Sequence, residues 1–146
     1  HDIGKIGIKD SILLKPGRLT PEEFEIMKTH TTIGCTMIDR LHEIDDIDYI
    51  ETCYEICRHH HERFDGSGYP DQLVGDAIPL SAQVVSIADA YDALVTKRVY
   101  KPAFSHDTAM DMIISGKCGV FSPNMLGYLS KISSRFEEIS KKHADD

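Results

Sequence analysis

From Thr20 onward, apolar residues recur at the three- and four-residue spacing of helices, and no stretch holds the strict alternation of a strand. Thr20-Pro21-Glu22-Glu23 carries three agreeing start signals: a capping threonine, a proline whose missing N–H costs nothing there, and a glutamate that completes a capping box. The helix it opens is predicted to run to about Leu41. Asp48 can cap a second helix to about Glu62. Residues 63–79 hold Gly66, Gly68, Gly75, Pro70 and Pro79, so they read as a loop with at most parts of a small hairpin. A third helix is expected from about Leu80 to Thr96, with Leu80, Val84, Ile87, Tyr91 and Leu94 as its main apolar stripe. A fourth covers about Asp107 to Ser115 and stops at Gly116. Ser122-Pro123 opens a fifth, to about residue 143, with Leu126, Leu129, Ile132, Phe136 and Ile139 as its buried stripe. Lys141, Lys142 and His143 suit its negative end, and Asp145 and Asp146 are expected to fray. The pattern implies an all-α helical bundle in one domain, with no internal repeat.

Helical phase separates the three histidines of Arg58-His59-His60-His61-Glu62-Arg63. Ile50, Cys53, Tyr54 and Cys57 form one apolar stripe, which continues onto His60 and His61. His59 falls on the opposite, solvated face. Two inward imidazoles side by side need partners for their ring nitrogens; metal ligation is one solution and hydrogen bonding to carboxylates is another. His30 shares its helix face with Ile26, Ile33 and Met37, and by itself reads as a satisfied core histidine.

The helix of residues 80–96 carries only two charges, Asp89 and Asp92. Asp89 lies opposite the main stripe, where an amphipathic helix would face water. Its neighbours there are Ala82, Val85, Ser86 and Ala93, small or apolar rather than the lysines and glutamates of a wet face. A carboxylate buried on such a helix must neutralise, pair or bind a metal. Asp89 and Asp92 are i,i+3 neighbours and are expected to face one cavity.

Composition narrows the function classes. The 146 residues carry a net charge of −8, and 41% are hydrophobic against 27% charged, an ordinary globular balance. The acidic sum argues against a general DNA binder, and no apolar run approaches a membrane span. Asp39, Glu43, Asp45, Asp46, Asp48, Glu51 and Glu55 cluster between the first two helices, on an expected solvated edge, so the net charge does not oppose an anionic substrate elsewhere. Cys35, Cys53, Cys57 and Cys118 form no zinc frame and read as buried, reduced thiols of a cytoplasmic protein.

Three blocks then stand in a telling order. They are His1-Asp2-Ile3-Gly4-Lys5; His60-His61-Glu62-Arg63-Phe64-Asp65-Gly66-Ser67-Gly68-Tyr69-Pro70; and Ile87-Ala88-Asp89-Ala90-Tyr91-Asp92-Ala93-Leu94 followed by Arg98-Val99-Tyr100-Lys101. Together they resemble the HD-GYP domain of bacterial cyclic di-GMP phosphodiesterases, within the HD superfamily of metal-dependent phosphohydrolases. The resemblance covers essentially all 146 residues. It implies that His1, Asp2, His30, His60, His61 and Asp89 are metal ligands, with Asp2 bridging. It implies that Lys5 contacts the scissile phosphate or assists as an acid, and that Arg98 and Lys101 grip substrate phosphate. Asp92, Glu62 and Arg63 would stand behind the ligands and orient them. Imidazole with carboxylate suits iron, manganese or zinc, iron or manganese being favoured. Two such ions would clamp a phosphodiester and activate a bridging hydroxide.

The resemblance also carries departures. Family members have further helices before the HD dipeptide, so the HD-type bundle is expected to lack its N-terminal helices here, leaving an apolar face open and favouring a homo-oligomer; the resemblance separately implies an upstream receiver or sensor domain. Val99 stands where proline is common, Gln83 replaces a frequent arginine, and Ser122 replaces an aspartate cap. In the GYP block, Gly66 and Gly68 are expected to take backbone angles closed to other residues, and Tyr69 to pack or to line a groove. The competing readings are an HD phosphohydrolase for another nucleotide and a non-catalytic signalling module.

Overall fold

The structure, a computed structural model, describes residues 1–42, 49–97 and 102–143. A 3-10 turn at Ile3–Gly7 opens the chain. Among the described residues eight α-helices follow: α1 (Asp10–Leu13), α2 (Pro21–Lys28), α3 (His30–His42), α4 (Ile50–His59), α5 (Leu80–Val95), α6 (His106–Ile114), α7 (Pro123–Lys131) and α8 (Ser133–His143). Among the described residues β-pairing is confined to isolated bridges, one of them between Asp65 and Val74 in the 63–79 loop. The fold is all-α, as the periodicity predicts. Among the described residues no helix is long and apolar enough to cross a membrane.

The helix starts follow the local chemistry. Thr20 Oγ1 accepts the Glu23 N–H and the Glu23 carboxylate accepts the Thr20 N–H, forming the expected capping box. Lys15 adds an ion pair to the same carboxylate. The expected single helix to Leu41 is interrupted at Thr29, between α2 and α3. The hydroxyls of Thr29, Thr31 and Thr32 bond back to carbonyls three residues earlier, an arrangement that competes with the helical ladder. The expected fifth helix is likewise split at Ile132, into α7 and α8. The first turn, α1, and the 3-10 turn are absent from the sequence reading because they are too short to show a period. The expected Asp48 cap lies outside the described residues, and α4 begins after Tyr49.

The opening turn packs on α3, and α3 on α4, at very short range. A Cβ on Gly4 would meet the His30 carbonyl oxygen at 1.9 Å. That contact brings the residues around His1 and Asp2 against the first turn of α3. On the other side, α5, α6 and α7 enclose an apolar core of Ile87, Tyr91, Leu94, Ala109, Met110, Ile113, Phe121 and Leu129.

Three burial expectations need correction. Leu80 and Val84 are exposed, at 66% and 49%, whereas Ala82 and Ser86 are buried. The buried arc of α5 is therefore turned toward α4 on one flank and α6 on the other, and the first two stripe residues lie outside it. Of the four cysteines expected to be buried, Cys35 and Cys57 are; Cys53 is exposed because it sits at the edge of the α4 stripe, and Cys118 is half-buried. Ile132 and Ile139 are half exposed, since the break at Ile132 interrupts their phase with Leu129.

Candidate metal centre

Four segments converge at one end of the bundle. His1 and Asp2 precede the 3-10 turn, His30 opens α3, His60 and His61 follow the last residue of α4, and Asp89 projects from α5. The His60 and His61 rings lie 4.1 Å apart by centroid, His30 and His61 5.1 Å, and His1 and His60 4.9 Å. Asp89 Oδ1 stands 3.7 Å from His1 Nε2, and His1 Nε2 stands 3.6 Å from Asp2 Oδ2. Lys5 Nζ donates to Asp2 Oδ2 at 2.5 Å. The residues of the first block, His30, the two histidines of the second block and Asp89 thus occupy one site.

Tautomers sharpen this geometry. His30 Nδ1 lies 2.7 Å from the Met27 carbonyl, and His60 Nδ1 lies 3.0 Å and 3.1 Å from the carbonyls of Ile56 and Cys57. A carbonyl only accepts, so both Nδ1 atoms carry the proton and both Nε2 atoms present lone pairs. Those two Nε2 atoms face each other at 3.4 Å. Asp2 Oδ1 is 3.4 Å from one and 3.8 Å from the other, and it is buried without a hydrogen-bond partner. Three electron-pair donors facing one point repel unless a cation lies between them. Imidazole nitrogen with carboxylate oxygen is the donor set of a catalytic transition-metal site. His30, His60 and His61 form one group able to hold an ion, and His1, Asp2 and His60 a second, sharing His60.

Electrostatics agree. Burial, and then the neighbouring His1, push His60 down to about 4; burial, and then His60, push His61 down to about 3. Burial also lowers His30. All three rings are therefore neutral and able to ligate at neutral pH. The paired His1 holds Asp89 at about 2, and Asp89 in return raises His1. For Asp2, burial acts upward, yet the Lys5 ammonium and the nearby imidazoles hold it below the ordinary carboxylate range.

The residues expected behind the ligands divide differently. Asp92 does not share the cavity of Asp89. An i,i+3 step leaves about 60° between the two side chains, and Asp92 is exposed, accepts from Thr96 Oγ1, and lines a separate groove of about 660 Å³ with Val95, Phe136 and Ile139. Glu62 is buried, but its carboxylate accepts the backbone N–H groups of Asp71 and Leu73, and the ring beside it is that of His59, 4.0 Å away at Nδ1, not that of His60 or His61. It anchors the loop. Arg63 holds the ligand turn by its backbone: Nη1 donates to the carbonyls of His60 and Glu62 and to Ser86 Oγ, linking the turn to α5. His59 points away from the other histidines, as the phase implies, but it is not solvated. The loop folds over it, and its ring lies 3.5 Å from Asp71, whose carboxylate is already forked by Arg58. Gly68 is needed for close approach, since a Cβ there would lie 2.4 Å from Glu62 Cα, whereas Gly66 does take a positive φ of 79°. Tyr69, followed by a cis proline bond, stacks on His61. Arg98 and Lys101 lie outside the described residues. The Arg63–Ser86 bond and the Arg58–Asp71 fork escape sequence reasoning because each joins residues far apart in the chain, which no local period records.

A family model described as an HD domain matches residues 1–121. A cyclic di-GMP phosphodiesterase of Vibrio cholerae serotype O1 is 44% identical over 146 residues, covering 99% of this chain and 30% of the relative. A cyclic di-GMP phosphodiesterase of Thermotoga maritima is 43% identical over 146 residues, covering 100% of this chain and 39% of the relative. A 3'3'-cGAMP-specific phosphodiesterase of Vibrio cholerae is 39% identical over 129 residues, covering 88% of this chain and 24% of the relative. The chain thus spans about a third of the length of the curated relatives it matches.

Proposed function

Since the chain belongs to the HD domain family, we propose that its histidine–aspartate centre binds divalent transition metal ions, iron or manganese, and hydrolyses a phosphodiester bond of a cyclic dinucleotide, cyclic di-GMP in the first instance. The names of the similar proteins support the substrate class. The observation that carries the reading is the meeting of His30 Nε2, His60 Nε2 and the unpartnered Asp2 Oδ1 at one point. Two adjoining donor groups sharing His60 support two ions.

His1, Asp2, His30, His60, His61 and Asp89 would hold the metal, with Asp2 between the two groups. When bound, the ions supply a nucleophile from water at neutral pH and offset phosphate charge. Lys5 is held by Asp2 at the half-exposed rim, where its ammonium can meet a non-bridging phosphate oxygen or give a proton to the departing ribose oxygen. Arg98 and Lys101 are assigned to the substrate phosphates by their place in the third block. Asp2 and Asp89 stay ionised because Lys5 and His1 oppose their burial.

Metal analysis of the purified protein, followed by turnover of cyclic di-GMP with manganese and with iron, tests this reading. Metal uptake with hydrolysis is expected. Metal-loaded protein that binds the dinucleotide without cleaving it overturns the enzymatic reading and favours the signalling module. An upstream receiver or sensor domain and a homo-oligomer belong to the same proposal. The exposed Leu80 and Val84 on α5 support self-association, and a clean monomer in sedimentation at high concentration overturns it.

A further inference from the structure

We propose that α2 is a positioning element: Phe24 and Lys28 press the Tyr69 ring against His61 and so fix the orientation of that imidazole. The inference rests on the reading of His61 as a metal ligand.

His30 and His60 are each held by an Nδ1–H bond to a backbone carbonyl. For His61, which lies beyond the end of α4, the corresponding restraints are ring contacts. His60 and His30 are themselves expected ligands, so the contact from outside the donor set is that of Tyr69. Its ring stacks on His61 with centroids 4.8 Å apart and planes 30° apart, and its backbone N–H donates to the His61 carbonyl at 3.3 Å. Tyr69 therefore sets both the main chain and the ring of this residue.

The Tyr69 ring is held in turn by α2. Phe24 and Lys28 are i,i+4 neighbours and share a face. Phe24 meets Tyr69 edge to face at 6.2 Å, with an interplanar angle of 85°. Lys28 Nζ lies over both rings, 5.1 Å from the Phe24 centroid and 5.5 Å from that of Tyr69, and Glu25 steers it at 2.7 Å.

The build of α2 fits this role. None of its residues is buried, so it contributes little to a core. Yet its first turn is closed by a complete capping box and a Lys15–Glu23 ion pair. Short helices are marginal without such support. A well-capped helix with no buried residue, whose aromatic and cationic side chains meet on one tyrosine, serves that tyrosine.

Manganese(II) titration of the purified chain, with Tyr69→Leu, Tyr69→Phe, Lys28→Met and His61→Ala, tests the inference. Groups that orient ligands change metal affinity about 10- to 100-fold. Tyr69→Leu is expected to raise Kd for manganese by at least about tenfold. Tyr69→Phe should restore it to within about twofold, since the stacking face remains. Lys28→Met, on the exposed side of the stack, should weaken binding by a smaller factor with an unchanged circular dichroism spectrum. With cobalt(II) bound, the ligand-field spectrum should change in Tyr69→Leu and revert in Tyr69→Phe. If His61→Ala weakens manganese binding but Tyr69→Leu and Lys28→Met do not, the positioning role is overturned and the metal reading stands. If His61→Ala itself changes nothing, the assignment of His61 as a ligand falls. Should Tyr69→Leu fail to fold, Lys28→Met decides alone: unchanged affinity overturns the role, and weakened affinity with a changed cobalt spectrum supports it.

Discussion

The two ends of the bundle bury chemically opposite groups. Around α5, α6 and α7 the interior is apolar, with Ala109 and Ile113 fully inaccessible. Around α3 and α4 the apolar cluster is only Cys35, Ile38, Ile50 and Cys57, and the fully inaccessible residues are His30, Thr31 and His60. The first end needs only the exclusion of water from hydrocarbon. The second places facing lone pairs and a carboxylate where hydrocarbon would otherwise be, which is costly unless a ligand joins them. One end carries the stability, and the other spends some of it on a site.

That division can be broken in four ways. The largest effect is expected from His60→Ala, since this ring belongs to both donor groups. Loss of a ligand should exceed the ~100-fold affinity cost seen for groups that merely orient ligands. Titration with manganese should show both ions weakened, and retention of full occupancy would break the shared-ligand picture. Next, Ile113→Ala empties a fully buried position in the apolar end and should cost roughly 2–5 kcal/mol in denaturant unfolding. Its metal content per folded molecule should stay at the parent value. A coupled loss of metal would show that the ends do not act separately.

A third, smaller effect is a pH dependence of the metal-free protein. His60 and His61 have folded values of about 4 and 3, below the ordinary 6.5, so the unfolded chain takes up more protons in that window. Their contribution is present above about pH 6.5 and is lost as pH falls toward 4. His1, raised by Asp89, has the opposite sign, adding stability at low pH that is lost as pH rises through its folded value. Two strongly lowered rings outweigh one raised ring, so the urea midpoint without metal should fall between pH 7 and pH 5. A midpoint that rises on acidification would contradict this balance. The smallest effect is that of His59→Ala, for which metal content should not change. Arg58 already forks the carboxylate beside His59, and a loss matching that of His60→Ala would undo the phase argument.

Much of this was readable in the chain, for physical reasons that also explain the exceptions. The helix expected to reach Glu62 ends at His59, yet helical phase separates His59 from His60 and His61 because the His60 N–H still bonds the Ile56 carbonyl and keeps the last turn helical. The same arithmetic misjudged the exposure of His59, since the covering loop is tied through Glu62, Arg58 and Asp71, contacts between residues far apart in sequence. Asp89 was legible from the lack of charge around it. Asp92 was not, because spacing alone cannot say where the buried arc of α5 ends, and Leu80 and Val84 went astray for the same reason. The start of α2 was legible to the residue through its capping box. Its end at Lys28 was not, since the threonine hydroxyls act through hydrogen bonds that carry no periodic signature.

Gly4 lies directly against the His30 carbonyl. Two main chains touch there with no side chain between them, so the spacing of Asp2 from His30 is gauged by backbone against backbone. Side-chain packing can relax when neighbours mutate, but a backbone gauge cannot. The metal centre should therefore tolerate extensive repacking of the helices around it, while a single methyl group at position 4 shifts its calibration.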